Sequence, residues 1–200
     1  GERAAHYHAA MDVLSAVARL DRRYPDGFDL MAIRGDAADH SLTLAPGPRS
    51  AGSPADREVL LLTGWTDYAF SSDNVAAHQA GFSLTPPGLQ VRDEAGRWRT
   101  VDADLGVPVG RPQTLVVDLS RLPLRDRTVR IVTNMRVYWD QILVAAALPS
   151  PSLAVDPVPR LGAELRWRGF SAEVAPDGRE PFGYDYERVR REAPWKLPAG

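Results

Sequence analysis

The chain has no cysteine. That one absence excludes disulfide staples, thiolate zinc sites and cysteine nucleophiles together, and leaves the redox compartment open. No run reaches the roughly 18 apolar residues that a bilayer-spanning helix needs, so no membrane insertion is expected. The start, "GERAAHYHAAM", lacks the basic and apolar regions of a signal peptide. Because the chain opens on Gly rather than Met, a processed or excised fragment is expected.

Charge of one sign is also lacking. A formal charge of −2 over 200 residues argues against a nucleic-acid or anionic-membrane partner, since either needs a concentrated basic surface. The cations, mostly Arg, are interspersed with acids as on a solvated surface. Catalytic signatures are missing as well. There is no G-x-S-x-G elbow and no Gly-rich phosphate loop, so neither a nucleotide nor another cofactor is expected. His6 and His8 form an H-x-H pair at what reads as a helix start, where positions i and i+2 diverge, so it is not read as a metal site. Asp102 and Asp104 begin like a calcium loop but lack the remaining oxygen ligands. No metal ligands are assigned.

What is present is β pattern. "EVLLLTGW" is a near-continuous apolar run, "LQVRDEAGRWRTV" (89–101) is a hairpin with its turn at "DEAG", and "QTLVVDLS" alternates with Leu115, Val117 and Leu119 on one face. "LMAIRG" and "HSLTLAP" are further strand candidates, and "PGPRSAGSP" (46–54) reads as a surface loop. Residues 128 to 148 would make one strand of roughly 70 Å at about 3.3 Å per residue, which is too long. The run must divide. Val129, Ile131, Met135, Val137 and Trp139 share odd parity, whereas Ile142 and Val144 are even, so a bend is expected near Thr133 and Asn134 and a bulge at Asp140 to Gln141. Apolar residues at helical spacing from Tyr7 to Leu20 predict an amphipathic helix over residues 4–24.

These elements make an antiparallel β-sandwich of jelly-roll type with an N-terminal α-helix. The expected organisation is an N-terminal helix in 1–25, a sandwich core in 26–148, and a Pro-rich connection with one more strand, "AELRWRGF", and a polar tail in 149–200, packed on the same domain. The richest polar stretch is residues 64–81. Trp65 and Tyr68 offer flat faces there, while Asp67 and Asn74 offer hydrogen-bonding groups, a mixture that suits a carbohydrate. The structural alternative has the aromatics plugging the sandwich end and Asp73 or Asn74 capping a short "VAAHQA" helix. In the long β run, packing leaves Asn134 and Asp140 unexplained. They complete the ligand-binding candidates.

"LLLTGWTDYAF", "LTPPGLQVRDEAGRWRTV", "GVPVGRPQTLVVDLS" and "VRIVTNMRVYWDQI", together with "FDLMAIRGDAADHSLTLAPG" and "RWRGFSAEVAPDGREPFGYDYERV", resemble a domain of large bacterial proteins that carry FG-GAP/VCBS propeller repeats, ASPIC/UnbV segments or tetratricopeptide repeats. The resemblance covers roughly residues 20 to 190 and implies an exported or cell-surface protein, with neighbouring repeat domains as partners, but no catalytic residue. The element order also resembles galactose-binding-like jelly rolls. The expected function is a non-catalytic recognition or structural module, with carbohydrate as the small ligand. The competing reading is a protein-protein interaction domain that docks on propeller or helical repeats; a hydrolase stands third, for want of a nucleophile or metal constellation.

Overall fold

The computed structural model describes residues 4–7, 11–48, 57–124, 126–147, 154–175 and 183–192. The chain divides into two compact units, Gly1–Pro149 and Ser150–Gly200. His8 and residues 49–54 of the predicted loop lie outside the described residues.

The first unit is mainly β and antiparallel. Among the described residues its strands are β1 (Ala4–Tyr7), β2 (Met11–Asp12), β3 (Asp36–Ala45), β4 (Arg57–Thr66), β5 (Gly88–Arg92), β6 (Trp98–Asp102), β7 (Gln113–Asp118), β8 (Val129–Met135) and β9 (Val137–Ala147), with one α-helix, α1 (Ser71–Gln79), after β4. Six strands pair in the order β2-β1-β3-β8-β5-β6, and three in the order β7-β4-β9. Alternation decides the inner faces. Leu42, Leu44, Leu89, Val91, Val129 and Ile131 of the larger sheet share one buried cluster with Leu60, Leu62, Val117, Val137 and Trp139 of the smaller. Two sheets with a common core are a sandwich.

The long β run divides at Arg136, two residues past the predicted bend. There the chain leaves the six-stranded sheet as β8 and enters the three-stranded sheet as β9. The parity change has the predicted cause: Thr63 pairs with Gln141 but Gly64 with Trp139, which leaves Asp140 as an extra, bulged residue. The opposing Gly64 has to be glycine, because a Cβ there would stand 2.5 Å from the Tyr138 carbonyl oxygen and 2.9 Å from Trp139 Cε3.

The N-terminal helix expected over residues 4–24 does not form. Ala4–Tyr7 instead pairs with the edge of β3, from Ala4 opposite Ala45 to Tyr7 opposite Leu42. Sheet pairing satisfies edge groups that a helix would leave open. The helical spacing reports a single turn, in which Val17 N donates to Val13 O (3.2 Å) and both valines enter the core, while Met11 and Leu20 stay exposed. Residues 17–18 then line the outer edge of β9, where Ile142 N donates to Val17 O (2.8 Å) and Ala18 bridges Gln141.

"LMAIRG" is also not a strand. Leu30 makes one isolated bridge to Ala37, and Gly35 turns the chain at φ +91° into β3. In the second unit, β10 (Phe170–Val174) pairs antiparallel with β11 (Gly183–Arg190). The predicted strand at 163–170 is therefore displaced: residues 154–169 carry no regular structure, and Gly169, at φ +104°, precedes the first strand residue. The tail segment "GYDYERV" forms the other strand instead.

Candidate functional site

Two regions collect polar side chains, and the sequence points mainly at the first. At one end of the sandwich the rings of Trp65 and Tyr138 stack (centroids 5.1 Å, 19°), and Tyr24 meets both edge-on at 6.0 Å. Phe28 continues the cluster against Tyr138 and lies flat on His40 at 4.4 Å. His40 Nδ1 is 2.9 Å from the Ala38 carbonyl, which can only accept, so that nitrogen carries the proton. Trp65 thus stacks on protein, and its Nε1 is buried without a hydrogen-bond partner among the described residues. Burial, with Asp67 and Asp26 adding to it and Arg136 opposing, holds the Tyr138 phenol above its ordinary pKa.

Asp67 is held by two guanidinium groups, Arg34 Nη2 at 2.8 Å and Arg136 Nη1 at 3.2 Å. Arg136 also donates to the backbone carbonyls of Met31, Ile33 and Asp36, so it ties residues 31–36 to the sandwich corner. Tyr68 is exposed edge-on to Phe70, and Arg34 lies over the Phe70 ring at 4.6 Å. Asn74 is exposed on α1. Asp73, in the first turn, accepts from Phe70 N (2.8 Å), so α1 starts ahead of the predicted "VAAHQA". Asp36 is 1% exposed, and its Oδ1 has no hydrogen-bond partner among the described residues. Burial raises its pKa, Arg136 opposes the rise and Asp73 adds to it.

The last two candidates are buried pins. Asp140, 2% exposed, accepts through one oxygen from the successive backbone N–H groups of Asp21 (3.0 Å) and Arg22 (2.8 Å), with Arg22 in the left-handed region at φ +62°. Successive amides converging on an anion form a nest. Asn134 Oδ1 accepts from Thr85 N (2.6 Å) while its Nδ2 donates to Ser83 O (2.9 Å). The loop before β5 is held to β8 by this amide. The structure therefore brings Trp65 and Asp67 to one end of the sandwich, whereas Asn134 and Asp140 each fasten a different segment.

The second region is a groove on the outer face of the six-stranded sheet. It is open, about 380 Å³, and lined by Asp39, Ser41, Thr85, Arg130, Val132 and Thr133, with His40 beneath. Pairing aligns its floor: Ser41 lies opposite Val132, and Arg130 lies between Thr43 and Gln90. Gln90 Oε1 accepts from Arg130 Nε (2.9 Å) and Nη2, and Gln90 Nε2 donates to Thr100 Oγ1 (3.2 Å). Arg130 lies over the Trp98 ring at 4.4 Å, and Arg92 lies over the same ring at 4.9 Å. Thr133 is spent on structure, donating to Thr85 O (2.7 Å). Asn134, through the same loop, places Thr85 at the groove end.

No motif in the sequence marks this groove, although alternation alone puts Ser41, Thr43, Gln90 and Arg130 on one face. Among the described residues no group of three or more His, Asp or Glu side chains could hold a metal ion, and no helix is long and apolar enough to cross a membrane. Comparison of the chain with protein-family models, with curated proteins and with solved structures finds no match.

Proposed function

We propose that the chain is a non-catalytic recognition module that takes a saccharide in the groove on the outer face of the six-stranded sheet. One observation carries this reading: an open groove on a sheet face in which the hydroxyls of Ser41 and Thr85, the Asp39 carboxylate and the Arg130 guanidinium stand beside the apolar Val132. Apolar pockets suit drug-like ligands, whereas a polyhydroxylated ligand needs fixed donors and acceptors on an open face. The sequence resemblance supplies the setting, an exported bacterial protein in which neighbouring propeller or helical repeats flank the module.

A glycan array followed by isothermal titration tests the proposal. Binding of at least one glycan, weakened about tenfold or more by Ser41→Trp filling the groove while Trp65→Ala leaves specificity unchanged, is the expected result. A folded protein that binds no glycan refutes it.

A second reading rests on the outer face of the three-stranded sheet. There Val116 (65% exposed), Leu61 and Leu143 (42% exposed) lie in one cross-strand row. Apolar side chains aligned on a sheet face suit a protein surface, so docking on a repeat domain would use this face. Loss of partner capture in Val116→Asp, with glycan binding intact, would favour it.

A further inference from the structure

We propose that the groove selects an acidic saccharide, a sugar unit bearing a carboxylate, whose anionic group is bound by Arg130. The inference rests on the saccharide reading of the same groove and names the ligand class. It starts from the way Arg130 is held. A guanidinium has five N–H donors. Nε and one Nη2 hydrogen of Arg130 go to the single oxygen of Gln90, whose own amide is anchored on Thr100. The Nη1–Nη2 edge keeps two parallel donors with no protein acceptor among the described residues. That edge has the spacing of a carboxylate.

The electrostatics agree with the geometry. Arg34 and Arg136 rest on Asp67, and Arg127 rests on Glu58 with contacts of 2.7 and 2.9 Å. Arg130 is half-buried like them, yet among the described residues no carboxylate meets it. Its charged neighbour is another cation, Arg92, over the same indole, and Asp126 lies 3.6 Å from Arg92 rather than beside Arg130. Burial and Arg92 both pull the Arg130 pKa down, as expected of a cation without a counter-charge. Gln90 and Trp98 hold the guanidinium without neutralising it.

The groove also has a direction. Arg130 is paired opposite Thr43, whereas Asp39 lies four residues along β3, roughly 13 Å away at strand rise. A carboxylate is repelled from the Asp39 end and drawn to the Arg130 end, and Ser41 lies between to meet a sugar hydroxyl. The ligand therefore binds with its acid group at the Arg130 end of the groove, away from Asp39.

Titration with an oligogalacturonate and with the same oligomer as its methyl ester tests the inference, since esterification removes charge and little else. The acid is expected to bind at least tenfold more tightly than the ester, with a preference that shrinks as salt rises. Arg130→Gln should abolish that preference by bringing the affinity for the acid down to that for the ester in the same variant, while Arg130→Lys should retain part of it. Circular dichroism confirms that both variants fold. Equal affinity for acid and ester, or a preference that survives Arg130→Gln, overturns the acidic class while leaving the saccharide reading standing. Failure of both oligomers and of every glycan on the array overturns both.

Discussion

Asp140→Ala is the substitution whose cost follows most directly from the structure. The carboxylate is 2% exposed and accepts from two backbone amides, at 3.0 and 2.8 Å. Hydrogen bonds to a charged group contribute about 1.5 to 3 kcal/mol each, and the amides left behind by truncation recover part of that loss by meeting water. A net loss of about 3 kcal/mol follows, equivalent to a fall in Tm of roughly 6 to 12 °C for a unit of this size. Urea unfolding followed by tryptophan fluorescence measures it, and the m-value should stay unchanged because the core strands are intact. Hydrogen exchange adds a local readout: the amides of Asp21 and Arg22 should lose protection together, while those of β4 should fall only by the global amount. Asp140→Asn keeps an acceptor without the charge and should lie between. A cost below about 1 kcal/mol with both amides still protected would refute the claim that this carboxylate anchors the N-terminal segment.

Three further outcomes are expected. Asn134→Ala removes the 2.6 and 2.9 Å bonds that hold residues 83–85; it should cost about 2 kcal/mol in urea and weaken any groove ligand, because Thr85 is no longer placed. Gly64→Ala should cost about 3 kcal/mol or more, since the neighbours of the added Cβ are the backbone and indole of the adjacent strand; a stable, soluble variant would contradict the packing described at the bulge. Asp36 binds protons more tightly folded than unfolded, so its ionisation subtracts stability as pH rises from the unfolded carboxylate range through the raised folded value. Asp36→Asn should therefore be more stable than the parent at pH 7 and lose that advantage toward pH 3, which thermal melts across pH will test.

The β framework is legible in the sequence because alternation is a local signal. The bulge at Asp140 follows from residue order alone, since Trp139 and Ile142 cannot both face the core on a regular pleat. The N-terminal helix does not follow in the same way. The spacing of Val13 and Val17 is that of one helical turn, but the choice between helix and strand at Ala4–Tyr7 depends on an open edge of β3 that lies far away in sequence. The strand expected at 163–170 fails similarly: its alternation is real, yet the pairing observed uses Phe170–Val174. Site residues are harder still. Aromatic and polar richness draws attention to Trp65 and Asp67, where the structure places a ring stack and an ion-pair hub. Arg130 looks like an ordinary outward position of β8, and only the lack of a carboxylate beside it, among the described residues, sets it apart.

The bulge has one more consequence, for chain length rather than chemistry. With Asp140 looped out, Trp139 and Gln141 pair with Gly64 and Thr63, which are neighbours. Removing residue 140 would leave a regular ladder in the same register, with Trp139 and Ile142 still facing inward and Gln141 still outward. The sheet itself has no need of this residue. A deletion at 140 should then behave like Asp140→Ala, with an intact sandwich and a loosened N-terminal segment.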